Sequence, residues 1–120
     1  MRERTSARGG PRLPITLEGT LVVGSGDEAR VLAVATCDVG MGGASIDSPE
    51  RLVVGAPVTL RLALPGPRDA DTRRVELPAV VTRAEGDNPC RCAVSFTAAR
   101  PSEIESLKRF IFRARDDRRR

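Results

Sequence analysis

Three arginines recur at every fourth residue near the N-terminus: Arg4, Arg8 and Arg12. A guanidinium group is planar and permanently charged, and it can chelate a phosphate or the edge of a guanine through two parallel hydrogen bonds. A basic segment with little apolar content can equally be a solvated tail, and the arginines alone do not decide between the two. We predict a flexible arm over residues 1–12 that does not join the core unaided and whose arginines can close over an anionic ligand.

A second candidate is the glycine-rich turn Asp38-Val-Gly40-Met-Gly42-Gly43, which lies between two strand-like runs. Asp and Gly are common turn residues, so the segment can be an ordinary tight turn. Glycine also lets a ligand approach the backbone closely, because it has no Cβ. The Asp38 carboxylate could accept from guanine N–H groups, or it could hold an arginine in position.

The composition excludes several kinds of catalytic or metal site. The chain has no His, which excludes a Ser-His-Asp or Cys-His apparatus and any His-ligated metal. Its three cysteines are Cys37, Cys90 and Cys92, an odd number for a paired disulfide framework. Cys90 and Cys92 lie two residues apart and should share one face of a strand. We expect a non-enzymatic protein with reduced thiols and with neither metal nor cofactor.

The charge balance indicates an anionic partner. The net charge is +4, and arginines concentrate at both ends of the chain. A nucleotide, an acidic protein or a nucleic acid would fit, but nucleic acid is disfavoured because only three Phe and no Trp or Tyr are available for base stacking. No apolar run approaches the roughly 20 residues of a membrane span, so we expect a soluble, cytoplasmic protein without membrane insertion.

Hydrophobic alternation predicts six short strands, and the period then changes to that of a helix. Pro101–Arg113 carries a capping-box spacing at Ser102 and Glu105 and an apolar stripe that should dock on the sheet. We predict an all-β fold over residues 13–114, a small six-stranded antiparallel β-barrel with a C-terminal α-helix, followed by a fraying basic tail at 115–120. The predicted strands are Leu13–Val23, Arg30–Thr36, Ala44–Asp47, Pro57–Leu64, Arg74–Arg83 and Arg91–Phe96.

In this order, the arm, the turn and the barrel resemble the PilZ domain family of bacterial receptors for cyclic di-GMP. That family has a six-stranded β-barrel with a C-terminal helix, an Arg-x-x-x-Arg motif in the N-terminal arm and an Asp/Asn-x-Ser-x-x-Gly motif after the second strand. Arg8-Gly-Gly-Pro-Arg12 matches the first motif, directly before the first strand, and Arg4 to Arg8 is a second choice. The resemblance runs from Arg4 to about Arg113.

The resemblance implies that Arg8 and Arg12 contact the guanines and phosphates of cyclic di-GMP, and that Asp38, Gly40 and Gly43 line the pocket. Gly40 departs from the family, because it stands where the motif has serine. A lost hydrogen bond to a charged group is worth roughly 1.5–3 kcal/mol, or about tenfold to a hundredfold in affinity.

Two functions therefore stay open. The first is a cyclic di-GMP-binding signalling module, a receptor or adaptor weakened at Gly40. The alternative is a degenerate adaptor that binds a protein partner of type IV pilus or motility machinery without the nucleotide.

Overall fold

The computed structural model describes residues 12–119, which form seven strands and one long helix. Short 3-10 turns at Gly26–Glu28 and Asp69–Asp71 lie in two of the connections. The strands are β1 (Leu13–Pro14), β2 (Glu18–Val23), β3 (Arg30–Val39), β4 (Gly43–Ser48), β5 (Pro57–Leu64), β6 (Arg73–Glu85) and β7 (Cys90–Phe96), and the helix is α1 (Pro101–Arg119).

Six of the strands close into a barrel. They are hydrogen-bonded in the order β3-β2-β5-β6-β7-β4, and β4 pairs again with β3. All these pairings are antiparallel. The predicted fold, a six-stranded antiparallel barrel with a C-terminal helix, is confirmed. The two-residue β1 lies outside the ring and pairs only with the end of β3.

The barrel interior is aliphatic, as the composition predicts. Alternate residues of each strand point inward, and Leu21, Ile46, Leu60 and Leu77 have no exposed surface. Cys90 and Cys92 also point inward, with their sulfur atoms 3.3 Å apart, which confirms that they share one face of the strand.

The helix covers the barrel with its apolar stripe. Leu107, Phe110 and Ile111 are buried in the same core as the strand residues. The predicted capping box is wrong, because Pro101 takes the first helical position and Ser102 lies inside the first turn. Within residues 12–119, no helix is long and apolar enough to cross a bilayer.

The helix is also longer than the sequence predicts. Instead of ending near Arg113 before a fraying tail, it continues to Arg119. Two contacts fix the helix to the barrel at the predicted end: the Arg113 guanidinium donates to the carbonyl of Pro65 at 2.9 Å, and Ala114 packs against the core.

The predicted first strand, Leu13–Val23, is interrupted. Its two halves, β1 and β2, both run beside β3, but the ladder is irregular between them. At this position the buried hydroxyl of Thr36 takes the place of a backbone partner: it donates to the carbonyl of Ile15 at 2.7 Å and accepts from the amide of Leu17 at 2.8 Å. The chain that leads out of the arm is thus fixed to β3 by a side chain.

Candidate ligand-binding site

The last residue of the predicted arm, Arg12, is held next to the end of β3. Leu13 is buried and pairs with Val39, while Pro14 pairs with Asp38. The amide of Ile15 donates to the carbonyl of Cys37 at 3.2 Å. These contacts place Arg12 beside Asp38, 26 positions later in the chain.

A β-bulge decides which way Asp38 points. Thr36 pairs with Ile46 on β4, and the register then shifts so that Asp38 pairs with Ser45. Thr36 faces the core, so regular alternation would also turn Asp38 inward. The extra residue, Cys37, reverses the alternation. As a result Val39 is fully buried and the Asp38 carboxylate lies on the outer face of the barrel.

Arg12 and Asp38 form a close ion pair. The Nη1 atom of Arg12 donates to Oδ1 of Asp38 at 2.5 Å, and each side chain keeps 29% of its surface exposed. The Nε atom of Arg12 is buried without a hydrogen-bond partner, and it is the one such side-chain atom among residues 12–119. A buried donor left unpaired costs roughly 1–3 kcal/mol. The pair therefore fixes a cation whose Nε–H group is shielded, while 29% of the side chain stays accessible.

The turn after β3 is tighter than the sequence predicts. β3 runs to Val39, so Asp38 belongs to the strand and only Gly40, Met41 and Gly42 connect β3 to β4. The amide of Gly40 donates to the carbonyl of Gly43 at 2.9 Å, which means that this N–H group is already used within the turn. The carbonyl of Gly42 accepts from the amide of Phe96 at 2.9 Å.

Gly43 has a packing reason to be glycine. A Cβ atom at this position would collide with the backbone carbonyl oxygen of Val94 on β7. Gly40 is different: positive φ angles among residues 12–119 occur only at Gly24, Gly26, Gly55 and Gly86. Gly40 therefore does not need the left-handed conformation that favours glycine.

More charged groups share this outer face. Arg91 on β7 donates through Nε to Oδ1 of Asp47 on β4 at 2.5 Å, and this hydrogen bond raises the pKa of Arg91. Burial raises the pKa of the half-buried Cys37 thiol, the charges of Asp47 and Asp38 raise it further, and Arg91 acts in the opposite direction.

The structure thus brings together Arg12 and Asp38, with Gly40 and Gly43 in and beside the adjoining turn. Arg4 and Arg8 lie outside the described residues. Sequence reasoning missed Arg91 and Asp47. Their outward direction follows from strand alternation, but the register that pairs them across 44 positions is not visible in the sequence.

A surface groove of about 810 Å³ lies elsewhere, between β2, β5, β6 and the start of α1. It contains none of the predicted site residues, and its lining holds three arginines and three glutamates whose charges offset one another. Among residues 12–119, no group of three or more Cys, Asp or Glu side chains could hold a metal ion. The size of the groove is thus no reason to prefer it to the Arg12–Asp38 pair as the ligand-binding site.

Comparison with known proteins identifies the family. No curated protein matches the sequence. The PilZ domain of CeSA from a cellulose-synthesizing bacterium superposes with a TM-score of 0.65 at 25% identity, covering 88% of this chain and 99% of that one. The Bacillus subtilis inhibitor of motility (MotI/DgrA) superposes with a TM-score of 0.72 at 19% identity, covering 91% of this chain and 51% of that one. The family model for the PilZ domain matches residues 3–113, and the chain therefore belongs to the PilZ domain family of cyclic di-GMP receptors and adaptors.

Proposed function

We propose that this chain is a cyclic di-GMP-binding signalling module that acts by binding and not by catalysis. The observation that carries the proposal is the Arg12–Asp38 pair, in which a guanidinium is fixed on the barrel surface with 29% of its side chain exposed. Such a group can donate to a phosphate or to a guanine edge. Arg12 lies where the arm joins the barrel, four residues after Arg8.

The arm provides the mechanism of signalling. Arg8 and Arg12 would grip the guanines and phosphates of the ligand, with Asp38 and the turn at Gly40 and Gly43 below it. Closure of the arm over the nucleotide would create a new surface for a protein partner. The nucleotide would thus control whether the partner binds.

Isothermal titration with cyclic di-GMP tests this proposal. We expect saturable binding by the native chain, and a loss of at least tenfold in the double variant Arg8→Ala/Arg12→Ala, because each charge-assisted hydrogen bond is worth about 1.5–3 kcal/mol. Arg4→Ala, which removes one charge, separates the two placements of the motif, because affinity should fall in this variant only if Arg4 contacts the ligand. A native chain that gives neither heat nor chemical-shift changes at high micromolar nucleotide would rule the proposal out.

Gly40→Ser tests the turn. The φ angle of Gly40 is not positive, so the variant can restore the motif hydroxyl without placing serine in the left-handed region. We expect it to bind the nucleotide about tenfold to a hundredfold more tightly than the native chain. Unchanged affinity would mean that position 40 does not contact the ligand.

The glycine at position 40 also favours a second function, that of an adaptor which binds a protein of pilus or motility machinery without the nucleotide. This function predicts a partner that is captured equally with and without cyclic di-GMP. It also predicts that Arg8→Ala leaves the partner bound. Partner binding that depends on the nucleotide would exclude it.

A further inference from the structure

The outer face of β3, β4 and β7 carries a second arginine opposite the Arg12–Asp38 pair. Asp38 on β3 pairs with Ser45 on β4, which in turn pairs with Ala93 on β7. Arg91 lies two residues before Ala93 on the same strand and therefore on the same outward face. Neighbouring strands are about 4.8 Å apart, which puts β7 roughly 10 Å from β3.

The side chain of Arg91 spans part of this distance. Its Nε atom donates to Oδ1 of Asp47, so the guanidinium group is held against a side chain of β4, the strand that pairs with β3 at Asp38. Asp47, Arg91 and Asp38 all act on the pKa of the Cys37 thiol, so the three charged groups surround that residue of β3. Two guanidinium groups thus flank a surface of small side chains formed by Ser45 and Ala93.

A purine base on this surface has no aromatic partner nearby. The chain contains no Trp, Tyr or His. Of its three Phe, Phe110 is buried, Phe96 packs against the core, and Phe112 is exposed on the helix. An arginine side chain can replace an aromatic ring here, because its planar guanidinium stacks on the face of a base.

The Arg91–Asp47 ion pair has no strong structural role that would explain its presence. The side chains keep 54% and 36% of their surface exposed, and exposed pairs contribute little to stability. Arg61 and Glu76 form a comparable pair on β5 and β6, with 50% and 62% exposed, away from Asp38. This second pair provides a matched control.

We propose that Arg91 is a base-binding residue of this site, and that its guanidinium stacks on one guanine of cyclic di-GMP above Ser45 and Ala93. The inference rests on the proposed nucleotide-binding function. It adds a contact from β7, so that the ligand would be held by Arg12 on one side and by the barrel wall on the other.

Titration of four proteins with cyclic di-GMP tests the inference: the native chain, Arg91→Ala, Arg91→Lys and Arg61→Ala. Stacking on one base is worth about fivefold to a hundredfold in affinity. We expect that loss in both Arg91 variants, because lysine keeps the charge but not the plane. Arg61→Ala should bind like the native chain. A ring-current shift of the Arg91 Nε–Hε resonance on binding should accompany the stacking.

Each other result has a distinct meaning. If Arg91→Ala binds as the native chain does, or if Arg91→Lys restores full affinity, the stacking role is overturned while the proposed function stands. If the native chain does not bind cyclic di-GMP at all, the proposed function and this inference fall together. Circular dichroism of each variant before titration distinguishes lost binding from lost folding.

Discussion

The hydroxyl of Thr36 offers the sharpest test of how the barrel positions the arm. Thr36 has 2% of its surface exposed, and its Oγ1 atom both donates to Ile15 and accepts from Leu17. Thr36→Val keeps the shape of the side chain and removes both hydrogen bonds. The backbone hydrogen bond from the Thr36 amide to the Leu17 carbonyl, 2.9 Å long, does not depend on the side chain and should remain.

The expected loss of stability follows from what the substitution leaves behind. Loss of a hydrogen bond lowers the free energy of unfolding by about 0.5–1.5 kcal/mol when the remaining partner can bind water. The loss is about 1–3 kcal/mol when that partner stays buried and unpaired. Leu17 is buried, so its amide belongs to the second class, and the half-buried Ile15 belongs to the first. We expect Thr36→Val to lower the free energy of unfolding by about 2–3 kcal/mol, or the melting temperature by about 10 °C.

Urea unfolding followed by circular dichroism measures this loss as a lower midpoint at an unchanged slope. Thr59→Val is the matched control, since Thr59 lies half-buried on β5 and makes no side-chain hydrogen bond with any described residue. The control should lie within about 0.5 kcal/mol of the native chain. If the stability of Thr36→Val also lies within about 0.5 kcal/mol of the native chain, the hydroxyl does not fix the segment before β2. Our account of how Arg12 is positioned would then be refuted.

Three further predictions concern the turn, the helix and the thiols. Gly43→Ala should destabilise the fold by about 1–3 kcal/mol in a thermal melt, because its Cβ would collide with the backbone of Val94, and a native-like melt would contradict the reported close approach. Leu107→Ala should cost about 2–5 kcal/mol in urea unfolding because the side chain is fully buried, while Phe112→Ala, 54% exposed, should change little. Burial is the main cause that raises the pKa of the Cys92 thiol from 9.0 to about 12. The contribution of Cys92 to the free energy of unfolding is therefore complete below pH 9 and falls as the pH rises towards 12. Urea midpoints at pH 8 and pH 10 should show this decline, and Cys92→Ala should reduce it.

Much of the barrel could be predicted because alternation is a local property. The strand Pro57–Leu64 agrees with its predicted bounds, since inward and outward residues alternate through its whole length. The apolar stripe of the helix could be predicted because its spacing is likewise a local property of the sequence. The C-terminal end of the helix could not, because residues 115–119 contain no apolar side chain that would continue the stripe.

The candidate site was harder to predict because its geometry depends on an irregularity. The sequence indicates that Asp38 could hold an arginine, and the structure pairs it with Arg12. The outward direction of Asp38, however, depends on the bulge at Cys37, which breaks the alternation used for prediction. The pairing of Arg91 with Asp47 depends on strand register, which a single sequence does not determine.

Closure of the barrel restricts how a protein partner can bind this chain. Many recognition domains capture a peptide by adding it as an extra strand to an open sheet edge. Here each strand from β2 to β7 pairs with two neighbours, and the stretches paired on one side only are short, such as residues 30–34 of β3 and 73–78 of β6. A partner that binds the rest of the barrel wall reads side chains and the shape of the surface, so its specificity can change by substitutions on the outer face without any change in the barrel's hydrogen bonds.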